Sequence, residues 1–299
     1  MPKILNFGSL NTDYVYTVDH FARPGETIAS LSRDIFCGGK GLNQSIALAR
    51  AGADAYQAGA VGPDGAMLIE LLKADHVDVS FVRTRDCASG HAIIQRDLTG
   101  QNSIVIYGGA NHCITEADID STLSHFAAGD YIVLQNEINS VGLIIEKAKA
   151  RGMTVVLNPS PIDGIQNLPL HLVDIFLLNE LEAAELSRET DKARLLAAMA
   201  ARHPNAAIVL TLGENGVQYT APALAAPLAH GIYEVEVLDT TAAGDTFTGY
   251  FIASIARGTS VPEALRLASI ASALAVSRPG AAPSIPGLAE VLACNLRSK

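Results

Sequence analysis

The 299-residue chain contains no tryptophan, and aromatic residues make up only 5% of it. The missing indole removes one common stacking platform for a nucleobase, although eight Phe and eight Tyr remain able to stack. Charge is also scarce. Asp, Glu, Lys and Arg total 17%, the formal net charge is -10, and Lys and Arg never form a block. Nucleic acid as a partner calls for the opposite balance, and so does an anionic membrane surface. No apolar run has membrane-spanning length, since the best candidate, 247–276, is broken by Arg257, Gly258, Glu263 and Arg266. Met1–Phe7 lacks a signal-peptide pattern. Cysteine is confined to Cys37, Cys87, Cys113 and Cys294, with no C-x-x-C pair and no metal spacing. Reduced thiols in a cytoplasmic protein are therefore expected.

What the chain does have is apolar material, 49% of residues, enough for one large α/β domain or two small ones. From Thr115 onward, helical and strand patterns alternate. The strands are predicted at 131–135, 154–158, 175–178 and 207–211, with helices at 115–126, 141–151, from Glu180, and at 191–202. This alternation predicts a mostly parallel sheet with helices on both faces. Earlier, 3–7 and 55–60 read as strands and 65–75 as a helix. Segment 14–36 reads as one or two strands outside the main sheet, and 91–96 with 103–107 as a hairpin around Asp97-Leu-Thr-Gly100. No repeat or linker divides the chain, so one compact domain with a small β extension is expected.

The stretch Asp239-Thr-Thr-Ala-Ala-Gly-Asp245-Thr-Phe247 organises the rest. It follows an alternating segment, 233–238, that reads as a strand, and precedes a buried helix, 247–256. Small residues at such a turn let a ligand approach the backbone, and the helix start offers free N–H donors and a positive dipole end suited to phosphate. Asp245 is the odd member. It is either a helix-end charge or a base that takes a proton from whatever attacks the phosphate. Gly38-Gly-Lys-Gly-Leu-Asn-Gln44 precedes a second small-residue helix, and Lys40 and Asn43 there could grip hydroxyls. It lacks Walker A spacing. Leu212-Gly-Glu-Asn-Gly216 precedes an alternating segment and is no dinucleotide fingerprint. Asn11 and Asp13 follow the first strand and Glu137 a later one, at the edge where open α/β sheets bind ligands; each also suits an ordinary turn or solvated loop. Near the end, Arg278-Pro-Gly-Ala-Ala-Pro-Ser284 is either a linker or a cation site of backbone oxygens.

Taken together, these motifs resemble the ribokinase-like (PfkB-type) carbohydrate kinases. The two signatures are Gly38-Gly-Lys-Gly-x-Asn43-Gln44 and Asp239-Thr-x-Ala-Ala-Gly-Asp245-Thr-Phe247. Asn11-x-Asp13, Pro24-Gly-Glu-Thr27, Gly109-Ala-Asn111, Gln135-x-Glu137, Asn158-Pro159, Asn179-Glu-x-Glu182 and Thr211-Leu-Gly213 match in order, so the resemblance covers nearly the whole chain. Lys40 and the Asn11-x-Asp13 pair point to the ribokinase branch. Leu42 stands where that branch usually has alanine, and Arg278-Pro279 departs modestly from the usual loop.

The resemblance implies a three-layer α/β sandwich with a central, mostly parallel sheet. The whole of 1–299 would form one kinase domain, with a small β lid from about 12–36 and 90–108, through which family members often dimerise. It implies an ATP-dependent sugar kinase, with D-ribose first and deoxyribose, a ketose or a nucleoside as alternatives; a non-catalytic sugar or nucleotide sensor is the reading from another class. The implied sugar contacts are Asn11, Asp13, Gly39, Lys40, Asn43 and Glu137. The implied ATP contacts are Asn179, Thr211, Gly213, Gly216 and Ser269. Asp245 would be the base, with the backbone N–H groups of Ala242, Ala243 and Gly244 holding the transferred group. Mg²⁺ would be ordered through water by Asn179 and Glu182. K⁺ would sit among Asp239, Thr241, Ala275, Arg278, Gly280 and Ser284.

Overall fold

The computed structural model describes residues 1–298. Its first half contains β1 (Ile4–Phe7), β2 (Asn11–Val18), β3 (Ser32–Gly38), α1 (Lys40–Arg50), β4 (Ala55–Val61), α2 (Ala66–Ala74), β5 (Asp78–Thr84), β6 (Gly90–Asp97), β7 (Asn102–Tyr107), α3 (Glu116–Leu123), β8 (Tyr131–Leu134) and α4 (Val141–Ala150). The second half contains β9 (Thr154–Leu157), β10 (Ile175–Asn179), α5 (Glu180–Ser187), α6 (Leu195–Arg202), β11 (Ala207–Thr211), β12 (Val217–Thr220), β13 (Leu228–His230), α7 (Ala243–Ala256), α8 (Val261–Val276) and α9 (Leu288–Ala293).

Nine strands form the main sheet in the order β13-β12-β11-β10-β9-β8-β1-β4-β5. Every pairing from β5 to β11 is parallel; β12 and β13 add an antiparallel edge. Strand side chains alternate between faces, and the core divides accordingly. Val133 packs with α1, α2, α7 and α8 on one face, while Ile132 and Leu134 pack with α3, α4, α5 and α6 on the other. Both faces are covered, so the central strands are continuously apolar. The result is a three-layer sandwich. The second sheet, β3-β2-β6-β7, stands apart from the first and pairs β2 with β6 in parallel.

Several boundaries differ from the sequence reading. Residues 233–238 form no strand: Tyr233 makes one bridge to Ser298, and the N–H groups of Leu238 and Asp239 both donate to Val276 O at the end of α8. The alternation is real, but β13 already occupies that edge of the sheet. Strands β5 and β13 were not foreseen. The first is a half-exposed edge strand and the second has three residues, so neither shows a clear apolar pattern. Asn11 and Asp13 begin strand β2 and are not turn residues. Helices α1 and α7 start earlier than their apolar runs suggest, which draws Lys40 and Asp245 into first turns. Leu42 is fully buried in the core, so its extra bulk fills the interior.

Candidate active site

Two helix starts meet at the carboxyl-terminal edge of the main sheet. Helix α1 begins at Gly39, whose φ of 93° is left-handed and favours glycine. Helix α7 begins at Ala242, which takes φ 60° without being glycine, a conformation costing about 1–3 kcal/mol. Ala242 thereby turns the chain so that Gly244 lies in the open and Asp245 points inward, 7% exposed. The Ala243 N–H reaches Thr240 O at a long 3.3 Å, and the remaining first-turn donors have no helical carbonyl to bond. Ser272 of α8 donates to Ala243 O at 3.2 Å and braces this loop from behind.

Asp245 is held by two amides of α1. Asn43 Nδ2 donates to Oδ2 at 3.1 Å and Gln44 Nε2 to Oδ1 at 2.9 Å. A cavity of 260 Å³ opens beside it, lined by Lys40, Asn158, Asn179, Glu182, Thr211, Thr240 and the 242–245 loop, with Leu177, Leu178, Phe247 and Thr248 as its apolar and hydroxyl wall. Asn179 and Glu182 are joined in a capping box at the start of α5, each side chain accepting from the other's N–H at 3.0 Å. That box engages only Oε2 of Glu182, which is why a capping residue can also serve the cavity. Lys40 sits among Asp245, Glu137 and Glu182. Burial pulls its ammonium down, but the three carboxylates outweigh it and hold the group above the ordinary lysine value.

On the other side of Lys40 lies a more closed region. Glu137 accepts from Ser9 Oγ and from the Lys40 N–H, so it pins β1's exit to α1. Asn11 is 5% exposed and its Oδ1 accepts from Asn111 Nδ2 at 2.7 Å. Asp13 lies against Gly38, where any side chain would strike its carboxylate. Burial first, then the negative charge of Glu137, pushes the Asp13 carboxyl up to about 7.

Residues 1–288 match the model of the pfkB family of carbohydrate kinases. The chain belongs to that family. As a carbohydrate kinase it is a phosphotransferase that acts on an alcohol group. It is 35% identical to a ribokinase of Staphylococcus aureus over 304 residues, covering 97% of this chain and 98% of that one. Arabidopsis thaliana ribokinase, solved with ribose and ATP, superimposes with a TM-score of 0.87 at 32% identity, covering 97% of each chain. A Cryptococcus neoformans ribokinase solved with ADP gives 0.84 at 31% identity, covering 98% of this chain and 99% of that one.

The kinase's cavity thus gathers Lys40, Asn179, Glu182, Thr211, Ala242, Ala243, Gly244 and Asp245. Gly213 and Gly216 lie on the turn beyond β11, outside its lining, and Ser269 lies on α8 one turn from Ser272. Asp239 joins two distant loops: Oδ1 accepts from Thr241 N–H and Oγ1, and Oδ2 accepts from Gly280 N–H at 2.9 Å. Burial raises its carboxyl, but these donors and nearby Arg96 win and hold it below the usual range. Arg278 turns its guanidinium to Glu290, at 3.2 Å between Nη1 and Oε2. Ser284 is fully buried and donates to Ala281 O at 2.8 Å; Ala275 O accepts the Arg278 N–H at 3.1 Å, closing the end of α8. Sequence reasoning gave no role to Gln44, Gln135, Asn6, Ser9 or Asn111. The motifs included three of them, yet nothing local signals that their side chains bond across the sheet.

Proposed function

We propose that this kinase transfers the γ-phosphoryl group of ATP to the primary hydroxyl of D-ribose, giving ribose 5-phosphate and ADP. The carrying observation is Asp245: a buried carboxylate, held by two amides, in the first turn of a helix whose N–H groups face a cavity. A carboxylate at a helix start whose N–H groups suit an anion fits one task, taking the proton from the hydroxyl oxygen as that oxygen attacks phosphorus. N–H groups of Ala242, Ala243 and Gly244 hold charge on the transferred group, and Lys40 adds a cation between the two substrates. Ribose is the choice because ribokinases are similar over nearly the whole chain, one of them solved with ribose and ATP.

The sugar lies against Asn11, Asp13, Gly39, Lys40, Asn43 and Glu137, under the four-stranded sheet acting as a lid. Residues 1–299 work as one domain. Asn43 Oδ1 is buried without a partner and suits a sugar hydroxyl. ATP extends along Asn179 and Thr211 toward Gly213, Gly216 and Ser269. Asn179 and Glu182 would hold Mg²⁺, which would supply neutralisation of phosphate charge. The oxygen-rich joint made by Asp239, Thr241, Ala275, Arg278, Gly280 and Ser284 suits a hard monovalent cation, for which we propose K⁺. The four free thiols suit the reducing cytoplasm, where we place the protein. The lid also exposes Phe36, Ile93, Ile104 and Ile106 at 43%, 44%, 53% and 61%, an apolar face that suits a homodimer.

The test is ADP release from Mg·ATP in K⁺ buffer across pentoses, hexoses and nucleosides. Strong turnover with ribose is expected, with a higher rate in K⁺ than in Na⁺. A better rate with deoxyribose, a ketose or a nucleoside would retain the mechanism and change the acceptor. Binding without turnover on any of them would replace the enzyme with a sensor.

A further inference from the structure

We infer that Gln44 is a positioning residue for Asp245, and that a chain of buried amides crossing the sheet dictates how Gln44 points. The inference rests on Asp245 being the base. Gln44 is fully buried. Its Nε2 donates to Asp245 Oδ1 at 2.9 Å and to Asn158 Oδ1 at 3.1 Å. Its Oε1 accepts from Gln135 Nε2 at 2.7 Å, and Gln135 Nε2 also donates to Asn6 Oδ1 at 2.9 Å. Asn6 Nδ2 then donates to Gly41 O at 2.7 Å and Ser45 Oγ at 2.9 Å, while Asn158 Nδ2 donates to Leu177 O at 3.0 Å.

An amide nitrogen has two hydrogens, and here each of the four nitrogens faces only acceptors. Orientation is therefore transmitted. The Gly41 carbonyl requires the nitrogen of Asn6, so the oxygen of Asn6 faces Gln135. That calls for the nitrogen of Gln135, which calls for the oxygen of Gln44 on the same side. The Leu177 carbonyl sets Asn158 in the same way from the opposite end. Both ends agree that the Gln44 nitrogen must face Asp245. The flipped amide would put its oxygen against a carboxylate and the Asn158 oxygen, and its N–H groups against those of Gln135. Gln135 Oε1 is left without a partner and lies where a side chain on Gly8 would sit. A lone unpaired acceptor is the price of this arrangement, and it falls where only glycine leaves room.

The device gives the base one orientation before substrate arrives. A donor on Oδ1 fixes the carboxylate plane. The experiment uses Gln44→Met, which keeps volume and removes the donor. Turnover is expected to fall roughly tenfold to a hundredfold, as small misplacements of a reacting group do, while the sugar KM changes less than about twofold. In an Asp245→Asn background, measured as slow single turnover, the same substitution should cost almost nothing. An equal cost in both backgrounds would make Gln44 a structural residue and overturn the inference. If Gln44→Met does not fold, Gln135→Met, which touches neither substrate nor Asp245, must lower kcat while sparing the sugar KM; an unchanged kcat there also overturns it. Parent-like turnover of Asp245→Asn alone is a separate result, which removes the base and this inference with it.

Discussion

β1 of the nine-stranded sheet is buried at all four positions, whereas β7 of the four-stranded sheet is exposed at all six, Ile104, Val105, Ile106 and Tyr107 among them. Both strands are rich in apolar residues and differ in what covers them. Helices cover the large sheet on both faces, so its edge is rigid enough to hold reacting groups at fixed distances. Among the described residues nothing covers the outer strand of the small sheet. Its inner edge instead carries Asn11 and Asp13, groups suited to wrapping a polar ligand. On the proposed reading, the transfer chemistry goes with the large sheet, and the small sheet adds Asn11 and Asp13 to the sugar contacts.

Four measurements break or sharpen that contrast. Asp245→Asn, on the large-sheet side, should lower kcat by about two to four orders of magnitude, the usual scale of general-base catalysis, while sugar still binds by calorimetry. Asp13→Ala, on the small-sheet side, should weaken ribose binding by roughly ten- to a hundredfold, the worth of a hydrogen bond to a charged group, and leave ATP affinity alone. If Asp13→Ala instead spared the sugar and damaged turnover, the division between the sheets would be wrong. The third measurement is pH dependence. Asp13 is pushed up to about 7, so it becomes an ionised acceptor only as pH rises through that value. Ribose affinity should therefore improve from pH 6 to pH 8, and Asp13→Asn should flatten the curve. The same shift has the opposite sign for the empty fold. Because folded Asp13 holds a proton that the unfolded chain releases near 3.8, stability falls between there and about 7, and Asp13→Asn should remove that slope in thermal melts. The smallest effect is on folding itself: Ile104→Glu with Ile106→Glu should halve the mass in solution yet change monomer stability by no more than about 0.5 kcal/mol per site. A dimer that survives this pair would place the interface elsewhere.

Much of the large sheet was legible because its strands are short apolar runs separated by helical periods. Its edges were not: β5 is half exposed and β13 has three residues, too little pattern to separate from a loop. Residues 233–238 failed in the other direction, with good alternation and no free strand to pair. Asp245 stood out in the sequence because a carboxylate at an anion-binding turn contradicts its surroundings, and it lines the cavity. Gln44 offered no such contradiction. Its partners, Gln135 and Asp245, lie 91 and 201 residues away, and a buried amide looks the same in sequence whether it aims a base or fills a gap.

The chain crosses between the sheets at Leu10, at Gly38 and Gly39, at 88–89 and at Gly108, so the four-stranded sheet consists of two excursions that leave the main sheet and return to it. The proposed sugar contacts all precede residue 138, and the proposed phosphate contacts, Lys40 apart, all follow residue 157. Heredity can therefore treat the two jobs separately. Drift or recombination within 11–38 and 90–107 can retrain the molecule for another acceptor while the transfer apparatus, encoded hundreds of bases downstream, passes unaltered through the lineage. Among the ties between the two inheritances are two neighbouring amides, Asn43 and Gln44, reaching one carboxylate.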